Sequence, residues 1–486
     1  MIEVLTPQEM READAQAVAV SGVEALMRNA GAAIAAYVRA HAPSGSRIVA
    51  FAGPGNNGGD ARVACAQLPE YDCAVYGPSE MPRDDDGARR CLEDAAIAID
   101  GLFGTGARLP LPQPYAAAIR ALDARRRHVL AVDIPSGVDA LSGAVPGDAV
   151  RATATMTLAA MKPGLLFEPA RGHCGELWLA DIGIAAATLH AHAASFAALD
   201  DDAFLALVPR RARDADKRSA GAPLILAGSA QFPGAAVLCA RGAARAGAGY
   251  VTVATATDAA TVLRAHLTEQ VVVTVDSGAA ELAAQDLLDV AKRNTAVGIG
   301  PGLSLDERTG VLVRTFIEGC DLPMVIDASA LFHLGKHLDI LRGKRCVLTP
   351  HEGEFARLSG LGTVAPGTRV ARLREFTQRT GVTTLLKGPA TLVDDGTRTH
   401  INATGTSVLA TAGTGDVLTG IIATLLSQGL EPLDAACAGA YWHGLTAQHC
   451  ALTRPVGVIA GDLPDALAVT LRSIRPQADA LRRVYA

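Results

Sequence analysis

Near the C-terminus, Thr411-Ala412-Gly413-Thr414-Gly415-Asp416 joins a hydroxyl-bearing glycine turn to an acidic residue. Gly413 and Gly415 allow backbone N–H groups to turn toward a ligand at the positive end of the helix that follows, which suits phosphate oxygens. A carboxylate beside an anion is repulsive unless it has chemical work to do. Taking a proton from a hydroxyl next to a transferring phosphoryl group is such work for Asp416. The competing reading makes Asp416 a helix cap worth about 1 kcal/mol. Leu418, Ile421, Ile422, Leu425 and Leu426 are spaced as the apolar stripe of an amphipathic helix.

Other chemistry-bearing residues sit where short apolar runs end. Gly53-Pro54-Gly55-Asn56-Asn57-Gly58 fits GxGxxG, followed by Gly59 and Asp60. No acidic residue closes the next run, Cys73-Ala74-Val75-Tyr76, so a redox dinucleotide site is disfavoured. The two amides and Asp60 suit a polar ligand; the alternative is a turn using Asn to tolerate left-handed backbone. Asp100 and Asp133 each close an apolar run, and Asn57, Asp100 and Ser136 are oxygen donors suited to a hard cation. His351-Glu352 starts like a zincin motif, but Phe355 stands where the second histidine belongs, which excludes that chemistry. His351 is then a ligand contact or a hydrogen-bonded structural histidine. Lys387-Gly388-Pro389-Ala390-Thr391 offers a cation and a hydroxyl, or merely a snorkelling surface lysine. There is no Walker A sequence.

These residues need a frame. Apolar runs at 48–52, 96–99, 129–132 and 156–160, and again at 296–299, 324–326, 346–349 and 384–386, alternate with helical stretches. Continuous apolar strands imply parallel sheets covered on both faces, with ligands at the strands' carboxyl ends. Two α/β domains are expected, each with its own site, divided near residue 205 after the Ala- and His-rich stretch 184–195. The 486 residues, 49% hydrophobic and 19% charged, fit two cores. A net charge of −6 gives no reason to expect nucleic acid or a membrane surface as partner. Nine cysteines without a CxxC pair fit reduced thiols in a cytoplasm. No signal peptide or membrane span is read from the sequence.

From Asp216-Lys217-Arg218 through Phe232-Pro233-Gly234-Ala235-Ala236, Gly300-Pro301-Gly302-Leu303, Pro350-His351-Glu352-Gly353-Glu354-Phe355, Leu386-Lys387-Gly388 and Gly413–Leu418, the C-terminal half resembles the ribokinase-like NAD(P)H-hydrate dehydratases. The N-terminal half is similar to NAD(P)H-hydrate epimerases, through Met10–Asp14, Asn29-Ala30-Gly31, Gly53–Asp60, Asp100–Gly106, Asp133–Gly137 and Lys162-Pro163-Gly164. Arg28, Ser329 and Ala412 depart from those patterns without removing a central group. The resemblance implies a fused repair enzyme. Residues 1–205 would form a Rossmann-like three-layer α/β/α epimerase domain, and residues 206–486 a ribokinase-like α/β dehydratase domain.

By that resemblance the substrates are the epimers of NADHX and NADPHX, with ADP as phosphoryl donor, Mg2+ accompanying the nucleotide and K+ in the epimerase. Asp416 is the expected base of the dehydratase, with Ala236, Gly302, His351 and Asp416 toward the hydrate. Lys387, Gly388, Pro389, Ala390, Thr391, Gly413, Thr414 and Gly415 would hold the nucleotide. In the epimerase, Asn56, Asn57, Gly58, Gly59, Asp60, Gly104, Thr105, Gly106, Ala107, Arg108, Leu109, Pro110 and Asp133 would bind the hydrate. Asp133 is the expected proton handler, and Asn57, Asp100 and Ser136 match potassium-binding positions. The resemblance also implies a homo-oligomer. The alternative is a small-molecule kinase of the vitamin-precursor type fused to a ligand-binding N-terminal domain.

Overall fold

A computed structural model describes residues 1–486 except 124, 276–279, 363–365, 455, 475–480 and 486. The chain forms two compact units, one comprising Ile2–Ala198 with the C-terminal strand Leu481–Tyr485, the other Leu199–Pro476 with Met1. The units thus divide at 198/199, and the last strand groups with the N-terminal one.

In the N-terminal unit six parallel strands lie in the order Glu176–Ala180, Ala154–Leu158, Val129–Val132, Ala95–Gly101, Arg47–Ala52, Asp72–Tyr76; Leu481–Tyr485 adds antiparallel to Glu176–Ala180. Period-two alternation explains the layers. Ile48, Ala50, Ala52, Ile97 and Ile99 pack with Ile34 and Val38 of the helix Val23–His41, while Val49, Phe51 and Ala98 pack with Ile119 of the helix Ala116–Ala121. Burial on both faces is why these strands read as unbroken apolar runs. The order reverses beside Arg47–Ala52, so the exits of that strand and of Ala95–Gly101 flank a topological switch point.

In the C-terminal unit, parallel strands run Cys346–Leu348, Met324–Ile326, Ala296–Ile299, Pro223–Leu226, Thr252–Ala256, Val271–Val275. Thr383–Leu386 joins parallel beside Cys346–Leu348, and Thr391–Asp394 and Thr399–Asn402 complete that edge antiparallel. The helix Thr414–Ser427 buries more than the single apolar face of the amphipathic helix expected from its spacing. Every residue from Val417 to Ser427 is buried, because the helix packs on Pro233–Arg245 and lies over Ala296–Ile299. Two glycines permit that approach. A Cβ at Gly420 would lie 2.1 Å from the Cys239 carbonyl oxygen, and one at Gly242 2.7 Å from that of Val417. No helix among the described residues is long and apolar enough to cross a membrane.

Candidate active sites

A cavity of about 640 Å³ opens at the strand exits of the N-terminal unit. Asn56, Asn57, Asp60, Gly104, Thr105, Gly106, Ala107, Arg108 and Asp133 line it, as do Arg11, Asp14 and Lys162. Gly58, Gly59, Leu109 and Pro110 are not among the lining residues. Gly58 serves packing instead, since a Cβ there would meet the Gly53 carbonyl oxygen at 2.1 Å. The two asparagines do not occupy a left-handed turn. They form the first turn of the helix Asn56–Ala66, whose N-cap is Gly55.

Asp133 leaves its strand at φ 66, an uncommon conformation for a residue with a Cβ. This turns its carboxylate into the cavity, where it pairs with the ammonium of Lys162, a side chain only 1% exposed. Lys162 also donates to the Thr157 hydroxyl at 3.1 Å and the Leu158 carbonyl at 2.8 Å, so all three of its protons are used. Burial, with Asp133 and Asp14 nearby, pushes the Asp60 carboxyl up to about 8. Asp14 is raised by burial and by Asp133, with Lys162 opposing. One cavity therefore holds an ion-paired carboxylate and a carboxyl that keeps its proton at neutral pH.

Asp100 is fully buried and accepts from the Ser136 hydroxyl at 2.7 Å, the Ser136 N–H at 2.8 Å and the Leu102 N–H at 3.2 Å. Burial still pushes it up to about 6 against those three bonds. A buried carboxylate left in deficit, beside the Ser136 hydroxyl and the Phe103 carbonyl, which lie 3.3 Å apart, fits a hard cation. Asn57 is also buried, and its Nδ2 has no partner among the described residues.

In the C-terminal unit the cap of the helix Thr414–Ser427 is Gly413, in left-handed conformation at φ 89, and no side chain caps this end. The capping reading of Asp416 therefore fails. Its carboxyl is pushed up to about 7 by burial and by Asp327, with Lys387 pulling the other way. Lys387 is no snorkelling lysine. Its ammonium bonds Asp327 Oδ1 at 2.8 Å and stands 3.9 Å from Glu354. Burial pulls it down, but Asp327, Glu354 and Asp416 together hold it above its ordinary value. A Cβ at Gly415 would be 3.5 Å from that ammonium, so Lys387 lies against the turn that carries Gly415 and Asp416.

His351 caps the helix Glu352–Ser359: its Nδ1 accepts from the Gly353 N–H at 3.0 Å and the Glu354 N–H at 3.4 Å. The structural-histidine alternative thus accounts for one ring nitrogen, while the side chain stays 58% exposed. Gly302 abuts the start of the helix Pro233–Arg245, where a Cβ would be 2.5 Å from the Phe232 carbonyl oxygen, and Ala236 is fully buried. Thr414 turns its hydroxyl back to the Leu409 carbonyl at 2.9 Å. The Gly388–Thr391 loop rests on Arg369, a buried guanidinium that donates to the Pro389 carbonyl at 2.8 Å and faces Glu352 at 3.1 Å.

Sequence reasoning missed Asp327, Lys162, Asp14 and Arg369 as members of these sites. Asp327 was visible as an acidic strand exit, and Lys162 and Asp14 stood within matching stretches. Arg369 carries no sequence signal, since it opens a helix that holds three further arginines, Arg372, Arg374 and Arg379.

Fold and geometry define a two-unit α/β enzyme with a carboxyl-lined cavity at the strand exits of one unit and, in the other, a ribokinase-like domain whose glycine turn carries a buried carboxyl. Residues 223–468 match the family described as NAD(P)H-hydrate dehydratase, and residues 23–95 and 77–164 match the one described as YjeF-related protein N-terminus. The chain is 35% identical to the bifunctional NAD(P)H-hydrate repair enzyme Nnr of Moorella thermoacetica, covering 94% of each. It is 37% identical to that of Mycobacterium tuberculosis, covering 88% of this chain and 89% of the relative. A crystal structure of the ADP/ATP-dependent NAD(P)H-hydrate dehydratase of Bacillus subtilis, grown with ATP and Mg2+, is 29% identical with a TM-score of 0.52; it covers 58% of this chain and 98% of that one. The chain belongs to the family of bifunctional NAD(P)H-hydrate repair enzymes, with an epimerase domain followed by a dehydratase domain.

Proposed function

We propose that the C-terminal unit restores NAD(P)H from the S epimer of NAD(P)HX using ADP, with Asp416 as base, and that the N-terminal unit interconverts the epimers through Asp133. The observation that supports this best is the setting of Asp416: a carboxyl near 7, in the first turn of a helix whose N-terminus attracts phosphate, with Lys387 beside it.

Asp416 accepts the proton of the ring hydroxyl as its oxygen takes the β-phosphoryl group of ADP, leaving AMP. Backbone N–H groups of Gly413, Thr414 and Gly415, together with Lys387, stabilise the charge on the transferring phosphoryl group. Phosphate then leaves with the push of the ring-nitrogen lone pair, and loss of a proton from the adjacent ring carbon restores the double bond. Mg2+ would accompany the nucleotide's phosphates and offset their charge. Lys387 to Thr391 hold the nucleotide, and Gly302 and His351 border the hydrate.

In the epimerase, Asp133, ion-paired with Lys162, takes the proton at the epimerised centre, while Asp60 retains a proton to give. Asn57, Asp100 and Ser136 would hold K+, whose charge would offset that of the buried Asp100 carboxylate. The two units act on cytoplasmic NADHX and NADPHX, in a homo-oligomer.

The test is absorbance at 340 nm after adding protein to mixed NADHX epimers with Mg2+ and K+, with and without ADP. Full ADP-dependent recovery, beyond the S fraction and faster than spontaneous epimerisation, is expected. Recovery of the S fraction alone would remove the epimerase. A stable phosphorylated product in place of inorganic phosphate would make the C-terminal unit a kinase.

A further inference from the structure

Asp327 closes the strand Met324–Ile326 and is 2% exposed, so it lies beneath the anion turn rather than on its open side. Both oxygens are committed. Oδ1 accepts from the Lys387 ammonium at 2.8 Å, and Oδ2 accepts from the Thr419 hydroxyl at 2.7 Å. One carboxylate thereby ties together the exit of Met324–Ile326, the exit of Thr383–Leu386 and the second turn of the helix Thr414–Ser427. A Cβ at Gly415 would stand 3.5 Å from the Lys387 ammonium and 3.8 Å from Asp327 Oδ2, so the pair touches the turn that carries Asp416.

We propose that Asp327 is a positioning residue of the dehydratase: without touching substrate, it fixes the Lys387 ammonium against the Gly413–Asp416 turn and sets the charge environment of Asp416. This rests on the dehydratase reading above. A lysine on a four-carbon stem is a mobile point charge, and Asp327 at 2.8 Å holds it far more firmly than Glu354 at 3.9 Å. Fixing the ammonium beforehand favours the moment at which negative charge gathers on the transferring phosphoryl group. Because Asp327 and Lys387 nearly cancel in charge, removing Asp327 frees the lysine without weakening the pull on ground-state ADP. Its loss should therefore fall on kcat rather than on KM.

The charged and titratable groups facing Asp416 are few. Asp327 raises it and Lys387 lowers it, while Glu354 acts through Lys387. The Cys239 thiol on the helix Pro233–Arg245 is buried and raised, hence neutral. His443 on the helix Pro432–Thr453 is pushed down to about 4 by burial and is also neutral near pH 7. With Asp327 neutralised, Asp416 sees mainly Lys387 and titrates lower.

The experiment compares wild type, Asp327→Asn and Thr419→Val as full-length protein, measuring kcat, KM for ADP and the pH profile of kcat/KM. For Asp327→Asn we expect kcat to fall at least tenfold, KM for ADP to stay level or drop, and the acidic limb to move to lower pH. Thr419→Val should show a smaller fall in the same direction. Wild-type kcat and an unmoved limb in Asp327→Asn would overturn the proposal. So would a fall in kcat with a raised KM and an unmoved limb, which marks a merely structural role. A wild-type protein without ADP-dependent turnover would instead sink the dehydratase reading.

Discussion

Replacing Asp416 by Asn separates what this carboxyl does for chemistry from what it costs the fold. Burial and the neighbouring Asp327 push it from 3.8 to about 7. Its folded state therefore holds the proton more tightly than the unfolded chain does. For a group raised in this way, the stability it supplies is full below about 3.8 and is lost as pH climbs to about 7. At about 1.4 kcal/mol per pKa unit the interval corresponds to about 4 kcal/mol. Partial exposure screens this to about 1–3 kcal/mol. Asparagine behaves as a carboxyl that never loses its proton, so the variant should gain on wild type between pH 4 and 7 and keep that gain above 7. A gain of several degrees in the melting of the C-terminal unit is expected at pH 8, with almost none at pH 4. Dehydratase kcat should fall by about 10²–10⁴. Calorimetry across pH and the 340 nm assay on the S epimer read the two effects. A variant that keeps full turnover refutes the base assignment, and one less stable than wild type at pH 8 refutes the electrostatics.

Lys162→Met should leave the half-buried Asp133 without its cation, lowering the stability of the N-terminal unit by about 1–3 kcal/mol. Conversion of the R epimer should disappear while turnover of the S epimer continues; unchanged R turnover would contradict the pairing. Gly413→Ala forces a Cβ into left-handed backbone, 2.6 Å from Leu238 Cδ1. It should cost about 1–3 kcal/mol and depress dehydratase activity with epimerase intact, as followed by the melting curve and both assays. Asp100→Asn removes the charge that suits a cation. Epimerase rate measured against KCl, with choline chloride as control, should rise with K+ in wild type and stay flat in the variant.

The strands were legible because both faces of each sheet are buried, which writes continuous apolar runs such as Ile48–Ala52 and Val129–Val132 into the chain. The glycine turn ahead of Asp416 was legible for a similar reason: backbone N–H groups that must face a ligand admit few other residues. The helix Thr414–Ser427 was misjudged because a stripe of leucines and isoleucines reads alike whether the opposite face meets water or another helix. Here Gly242 and Gly420 bring a second helix against that face.

Sequence alone determined which groups can do chemistry and which strand each one follows, since these are properties of residue type and local spacing. Tertiary structure decided their partners and hence their protonation. Lys162 meets Asp133 across 29 positions, and Lys387 meets Asp327 across 60. Burial and neighbours on other strands, which no local pattern records, push Asp60 to about 8 and Asp416 to about 7. A carboxyl's charge depends on the free energy of solvating it in place, and that place exists only once the strands have assembled.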